Sequence, residues 1–232
     1  MEIYLDSANL DEIRTWMDHG VIDGVTTNPS IMLKDGGFDL VARGVEIAET
    51  IAPRPLSLEV TTNDRTEMLT QARALAALAD NVIVKIPVLN EQGEPCLNVV
   101  RQLTSEGIRV NCTAILSFGQ VALAAKAGAH IISIFGGRVA DEGHDAARLI
   151  AESVEWLERW EYPGRILVGS MRGAIDVQTA ALAGAHIVTV PPAILARWID
   201  HQYTRTTVRQ FVTDGARAVA KAEELRGVGR SP

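Results

Sequence analysis

Short apolar runs rich in valine, isoleucine and leucine recur along the chain, separated by longer stretches with helical spacing. The apolar runs fall at 2–5, 24–26, 56–60, 82–87, 109–115, 130–134, 166–169 and 186–190. Their length and β-branched content predict strands buried on both faces, as in a parallel sheet. Segments 10–17, 65–78, 99–103, 120–127, 146–160 and 177–183 carry apolar residues at helical intervals and predict helices. Ala-Gly-Ala at 127–129, and again at 183–185, reads as a helix stop feeding directly into the next strand. Eight β-then-α units within 232 residues predict an α/β protein of the (β/α)8 TIM-barrel class. Residues 1–232 are expected to form one barrel domain with a C-terminal helical tail from about 194 to 226. A doubly wound open sheet is the alternative, but the chain has neither a GxGxxG nor a P-loop pattern.

Composition narrows the classes of partner. Hydrophobic residues make up 47% of the chain, enough for one well-packed core. No apolar run approaches the roughly 20 residues needed to span a bilayer. The N-terminus MEIYLDSAN lacks a basic region followed by an apolar one, so a cytoplasmic protein is expected. A formal net charge of −7 argues against general affinity for nucleic acid or an anionic membrane. It leaves room for a small anion held by two local arginines. Cys96 and Cys112 lie outside any CxxC motif and read as small buried residues. His19, His130, His144, His186 and His201 show no metal-ligand spacing and read as packing or surface residues.

One run breaks the apolar rule. In NVIVKIPVL, Lys85 interrupts an otherwise buried strand. An unpaired buried ammonium costs several kcal/mol or gives up its proton. Lysines can snorkel to water or to a buried partner, which is the bland reading. A desolvated amine is also nucleophilic toward carbonyls, which is the sharper one. Other strands favour the second. Read with a period of two, they turn polar near their C-terminal ends at Asp6, Glu59, Lys85, Asn111, Thr113, Ser133 and Ser170, with Asn28 in the turn TTNPS. Singly, these are ordinary caps, strand formers or halves of ion pairs. In a barrel they converge at the mouth where active sites sit.

These residues belong to motifs that carry a family resemblance. YLDSANLDEI, GVTTNPSI, SLEV, VIVKIPV, GIRVNCTAILSFGQ, AAKAGAHIISIFGGRVAD, ILVGSMRG and ALAGAHIVTVPPAIL follow one another over nearly the whole chain. In this order they resemble the short, single-barrel transaldolases, a group that includes fructose-6-phosphate aldolase-like enzymes. The resemblance implies that Lys85 forms a Schiff base with the C2 carbonyl of a ketose phosphate and that Asp6 moves the proton of the C4 hydroxyl. It implies that Glu59 and Thr113 hold a catalytic water, and that Asn28 and Asn111 bind the dihydroxyacetone hydroxyls, with Ser133 contacting the same region. Arg138, Arg172 and Ser170 would grip the distal phosphate. The resemblance calls for neither a metal nor an organic cofactor. Glu59 and Phe135 match the transferases of the family, whereas aldolases releasing free dihydroxyacetone carry Gln and Tyr there. A fructose-6-phosphate-type aldolase and a non-catalytic sugar-phosphate-binding barrel are the other two readings. The segment LNEQGEPCLN after Lys85 is longer than the corresponding family turn, and a specialised acceptor sugar is consistent with that.

The tail holds a further signal. Val208, Phe211, Val212, Val219 and Ala222 fall on one helical face, flanked by Arg205, Arg209, Arg217 and Lys221. Periodicity alone suits a helix covering its own barrel. Relatives by resemblance lay this helix on a neighbouring subunit in rings of five, often stacked into ten, so a homo-oligomer is expected.

Overall fold

Eight parallel strands close on themselves in chain order in the computed structural model, which describes residues 1–36 and 39–228. They are β1 (Glu2–Asp6), β2 (Gly24–Thr26), β3 (Leu56–Glu59), β4 (Val82–Pro87), β5 (Val110–Ile115), β6 (Ile131–Phe135), β7 (Arg165–Gly169) and β8 (Ile187–Val190). Pairing of β1 with β8 completes the ring, with Tyr4 opposite Thr189. The expected TIM barrel is therefore present, and the predicted strands match its strands to within a residue or so at each end.

Helices connect the strands: α1 (Leu10–Asp18), α2 (Pro29–Lys34), α3 (Leu40–Ile51), α4 (Arg65–Ala76), α5 (Leu97–Ser105), α6 (Phe118–Lys126), α7 (Gly136–Asp141), α8 (Ala146–Arg159) and α9 (Ala174–Leu182). After β8 come α10 (Pro192–Ile199) and α11 (Gln202–Val228). Side chains of Asn9, Asp39, Asp64, Ser117 and Asp145 accept from backbone N–H groups in the first turns, satisfying donors the helices cannot. Gly128 and Gly184, at φ +91° and +86°, end α6 and α9 in the left-handed region, which is how each Ala-Gly-Ala stops its helix.

The pattern-based expectation does not include α2, α3 or α7. The first has a sequence signal, since Asn28 caps it and Pro29 opens it. By contrast, α7 opens on Gly136 and Gly137, the poorest helix formers short of proline, and is too short to show a period.

The barrel interior is built in layers. Tyr4, Ile83, Ile131, Leu167 and Ile187 pack together as an apolar plug. Each buried aliphatic side chain contributes about 1.5–3 kcal/mol. The alternate strand residues Val84, Ile132, Val168 and Val188 are equally buried. Helix packing onto that outer face is close: a Cβ at Gly136 would stand 2.9 Å from Val168 Cγ1, and one at Gly44 would stand 2.9 Å from Leu58 Cδ1.

The chain divides into two compact units, Met1–Ile194 and Leu195–Pro232. Within the second, Ala222 is half-buried, and every other position of α11 from Gln202 to Arg226 is exposed. Among the described residues, no helix is long and apolar enough to cross a membrane.

Candidate active site

Two residues above the apolar plug, the same strands carry a different chemistry. Inward-facing positions at this level are Asp6 on β1, Lys85 on β4, Ser133 on β6, Gly169 on β7 and Thr189 on β8. With Thr26 on β2 and Thr113 on β5 they surround a cavity of about 120 Å³ at the C-terminal end of the barrel.

Lys85 is 5% exposed, and its ammonium is not left alone. Nζ lies 3.4 Å from Glu59 Oε2 and donates to the Thr27 carbonyl at 3.0 Å. The first contact follows from register, since β3 and β4 pair Glu59 with Lys85. A strand that buries an amine against a carboxylate and a carbonyl meets the cost an isolated charge would incur.

Asp6 accepts from Thr26 Oγ1 at 2.7 Å. Burial pushes its carboxyl above the ordinary range. Lys85 and the Thr26 hydrogen bond pull it back, and Glu59 and Asp35 push it further up. Thr113 Oγ1 is buried without a hydrogen-bond partner among the described residues, a donor and acceptor free for a bound molecule. Its neighbour Cys112 has its thiol pushed up to about 12 by burial, in keeping with a packing role.

The rim comes from loops. Asn28, Phe135, Arg138 and Ser170 also line the cavity. Arg138 sits in α7, its guanidinium 5.3 Å from the Phe135 ring centroid. Ser170 adopts φ +61°, a left-handed conformation disfavoured for a residue with a Cβ. Its carbonyl packs over Gly137, where an added Cβ would overlap the Ser170 oxygen. Only glycine lets α7 approach the β7 loop this closely, and the approach is what brings Arg138 to the rim.

Three expected site residues stand outside the cavity lining. Glu59, beside Lys85, borders a separate recess with Leu40 of α3 and Leu75 of α4. Asn111 is fully buried below Ser133: its Oδ1 accepts from Ser133 Oγ at 2.6 Å, and its Nδ2 donates to Ser57 Oγ at 3.2 Å. Arg172 points to Asp141 of α7, donating from Nη2 at 2.7 Å. Conversely, Thr26, Gly169 and Thr189, and Leu167 from the plug below, line the cavity without having been expected there. The threonines read as strand formers in sequence. Counting two residues along a strand from a plug position, as from Ile187 to Thr189, is the signal that finds them.

Fold and site together define a (β/α)8-barrel enzyme whose charged, hydroxyl-lined cavity opens at the C-terminal ends of the strands. A family model described as Transaldolase/Fructose-6-phosphate aldolase matches residues 3–229, and the chain belongs to that family. A probable transaldolase of Roseiflexus sp. (strain RS-1) is 43% identical over 214 residues, covering 92% of this chain and 96% of the relative. A probable transaldolase of Desulforudis audaxviator (strain MP104C) is 39% identical over 218 residues, covering 94% and 98%. Among solved structures, a chain of a cube-shaped, highly porous protein cage, designed by fusing symmetric oligomeric domains, aligns with a TM-score of 0.57. It is 13% identical and covers 97% of this chain and 80% of that one, a likeness of fold alone.

Proposed function

We propose that the protein is a transaldolase that transfers a dihydroxyacetone unit from a ketose phosphate to an aldose phosphate through a Schiff base on Lys85. The observation that carries this reading is the pairing of a buried amine with Glu59 at 3.4 Å, opening on a cavity that also presents Asp6. A sugar-binding protein has no use for a desolvated amine.

The amine must first lose a proton, and Glu59 is the nearest carboxylate to receive it. Lys85 then attacks the C2 carbonyl, and loss of water leaves an iminium. Glu59, with a water held on Thr113 Oγ1, carries the protons of carbinolamine formation and collapse. Asp6 takes the C4 hydroxyl proton as the C3–C4 bond breaks, the electron pair passes to the iminium nitrogen, and an aldose phosphate leaves. The enamine attacks the acceptor aldehyde, Asp6 returns the proton, and hydrolysis frees Lys85. Asn28 and Ser133 bind the hydroxyls of the retained unit, with Asn111 held beneath them by Ser133. Arg138 and Ser170 bind the distal phosphate by charge-assisted and neutral hydrogen bonds, Arg172 joining by exchanging Asp141 for the anion. Substrates of this charge are retained by membranes, in keeping with a cytoplasmic setting.

The aldolase reading differs in whether the enamine is protonated and released. Phe135 lines the cavity and has no hydroxyl to donate a proton, which favours transfer. Borohydride reduction in the presence of fructose 6-phosphate tests the proposal. A permanent adduct mapped to Lys85 is expected, and no adduct with any ketose phosphate would leave a binding protein. Product analysis then separates transfer to an added aldose phosphate from release of free dihydroxyacetone.

The same reading includes a homo-oligomer, a ring of five or two such rings, seated through α11. That helix exposes Val208, Phe211, Val212 and Val219 at 54–68%, an apolar stripe that a second copy would cover. Light scattering at micromolar concentration checks it: a 25.1 kDa particle, unchanged by deletion from Thr204 onward, rejects the assembly.

A further inference from the structure

At the cavity floor, three side chains from adjacent strands are chained together. Thr26 Oγ1 donates to Asp6 Oδ1 at 2.7 Å and stands 2.6 Å from Thr189 Oγ1. A threonine hydroxyl has one hydrogen. With Asp6 ionised, Thr26 spends its hydrogen on the carboxylate, so the second contact is filled by the hydrogen of Thr189, and the chain runs from Thr189 to Thr26 to Asp6.

We propose that Thr189 is a positioning residue of the reaction, acting through Thr26 to hold Asp6 ionised and aimed as the proton acceptor. This rests on the reading of Asp6 as the base of the C3–C4 cleavage.

Three observations converge on it. Thr189 is 5% exposed, and its hydroxyl is oriented by packing: a Cβ at Gly169 would lie 3.1 Å from Thr189 Cγ2, so the methyl faces the glycine and the hydroxyl faces Thr26. Donors in series strengthen one another, and in a low-dielectric site a donor chain ending on a carboxylate favours its charged form. Asp6 also needs the support. Burial works against its charge, as do Glu59 from β3 and Asp35 from the end of α2. Lys85 from β4 and Thr26 from β2 work for it, and Arg138 of α7 borders the same cavity. The charge on the Lys85 nitrogen comes and goes along the reaction, absent in the free amine and in the enamine and present in the iminium, whereas the threonine chain supports Asp6 throughout.

Thr189→Val keeps the shape and the methyl contact but deletes the donor, and Thr189→Ser keeps the donor. With aspartate labelled at the carboxyl carbon and the Asp6 signal assigned by its loss in Asp6→Asn, NMR titration reads the carboxyl without any turnover. The midpoint is expected to move to higher pH in T189V and to stay in place in T189S. In kinetics, kcat/KM of T189V is expected to fall about three- to tenfold on the acid side of the profile, the size of one neutral hydrogen bond. It should converge on the wild type at alkaline pH, with KM little changed. An unmoved Asp6 titration in T189V, or an equal shift in T189S, overturns the relay. A shifted titration beside an unshifted rate profile overturns Asp6 as the base, and with it the part of Thr189 in the reaction.

Discussion

Two levels of the same barrel, one strand repeat apart, do opposite things. Tyr4, Ile83, Ile131, Leu167 and Ile187 form the plug. Asp6, Lys85, Ser133, Gly169 and Thr189, each two positions further along the same strand, form the cavity floor. About 6.6 Å of strand separates them. The lower layer has one requirement, that volume be filled at close packing, and any well-fitting apolar set meets it. The upper layer holds a buried ammonium, two carboxylates and several hydroxyls. Burying them costs free energy, and most are tolerated through named partners: Glu59 and Thr27 for Lys85, Thr26 for Asp6, Asn111 for Ser133, with Thr113 Oγ1 left without one among the described residues. Stability is thus concentrated below and chemistry above, on strands that serve both.

The sharpest way to break this division is Lys85→Arg. A guanidinium stays protonated and cannot attack a carbonyl, so turnover is expected to fall to background while the thermal midpoint changes little. Residual turnover well above background would remove Lys85 from the reaction. Ile83→Ala, one step down the same strand, should do the converse. A loss of about 2–5 kcal/mol in denaturant unfolding is expected, with kcat of the remaining folded protein near that of the wild type. A large kcat effect without loss of stability would mean that the two layers are not separable.

At the rim, Arg138→Ala is expected to raise KM for phosphorylated substrates about ten- to a hundredfold, the size of a charge-assisted hydrogen bond, and to spare non-phosphorylated analogues. Arg172→Ala should cost less, because its guanidinium starts out on Asp141. Equal losses on both substrate types would mark these arginines as structural.

The smallest effect on stability concerns Asp6. Its carboxyl is raised above the ordinary 3.8, chiefly by burial, so the folded chain binds that proton more tightly than the unfolded one. The protonated form's contribution to stability is complete below 3.8 and is lost as pH rises through the folded value. Asp6→Asn mimics the protonated form. It should therefore raise the thermal midpoint by a few degrees at pH 8, with the gain vanishing as pH falls toward 3.8, while abolishing turnover. A lower midpoint at pH 8 would contradict the assignment of Asp6 to the destabilised layer.

Much of this is written locally in the chain. The period of two along β4 and β6 places Ile83 and Lys85, or Ile131 and Ser133, on one face whatever the rest of the chain does. Alternating strand and helix signals then imply a parallel barrel with those faces inward. Asn28 before Pro29, and the two Ala-Gly-Ala stops, mark helix ends through chemistry confined to a few residues. Lys85 stands out because no neighbour in sequence can pair with it.

What the sequence by itself determined, then, is the set of residues facing the barrel axis and the end at which polar ones gather, because side-chain alternation is a property of a single strand. Which of those residues meet was decided only by closure. Register between β3 and β4 sets Glu59 beside Lys85, and its carboxylate borders the recess next to α3 and α4. The return of β8 to β1 sets Thr189 against Thr26, residues 163 positions apart. Asn111 went under Ser133 because β5 and β6 pair it with Ile131, two residues earlier on the strand, and Arg172 went to Asp141 where the left-handed turn at Ser170 packs against Gly137 of α7. Contacts of that separation depend on the stagger of a closed sheet, and no local pattern carries it.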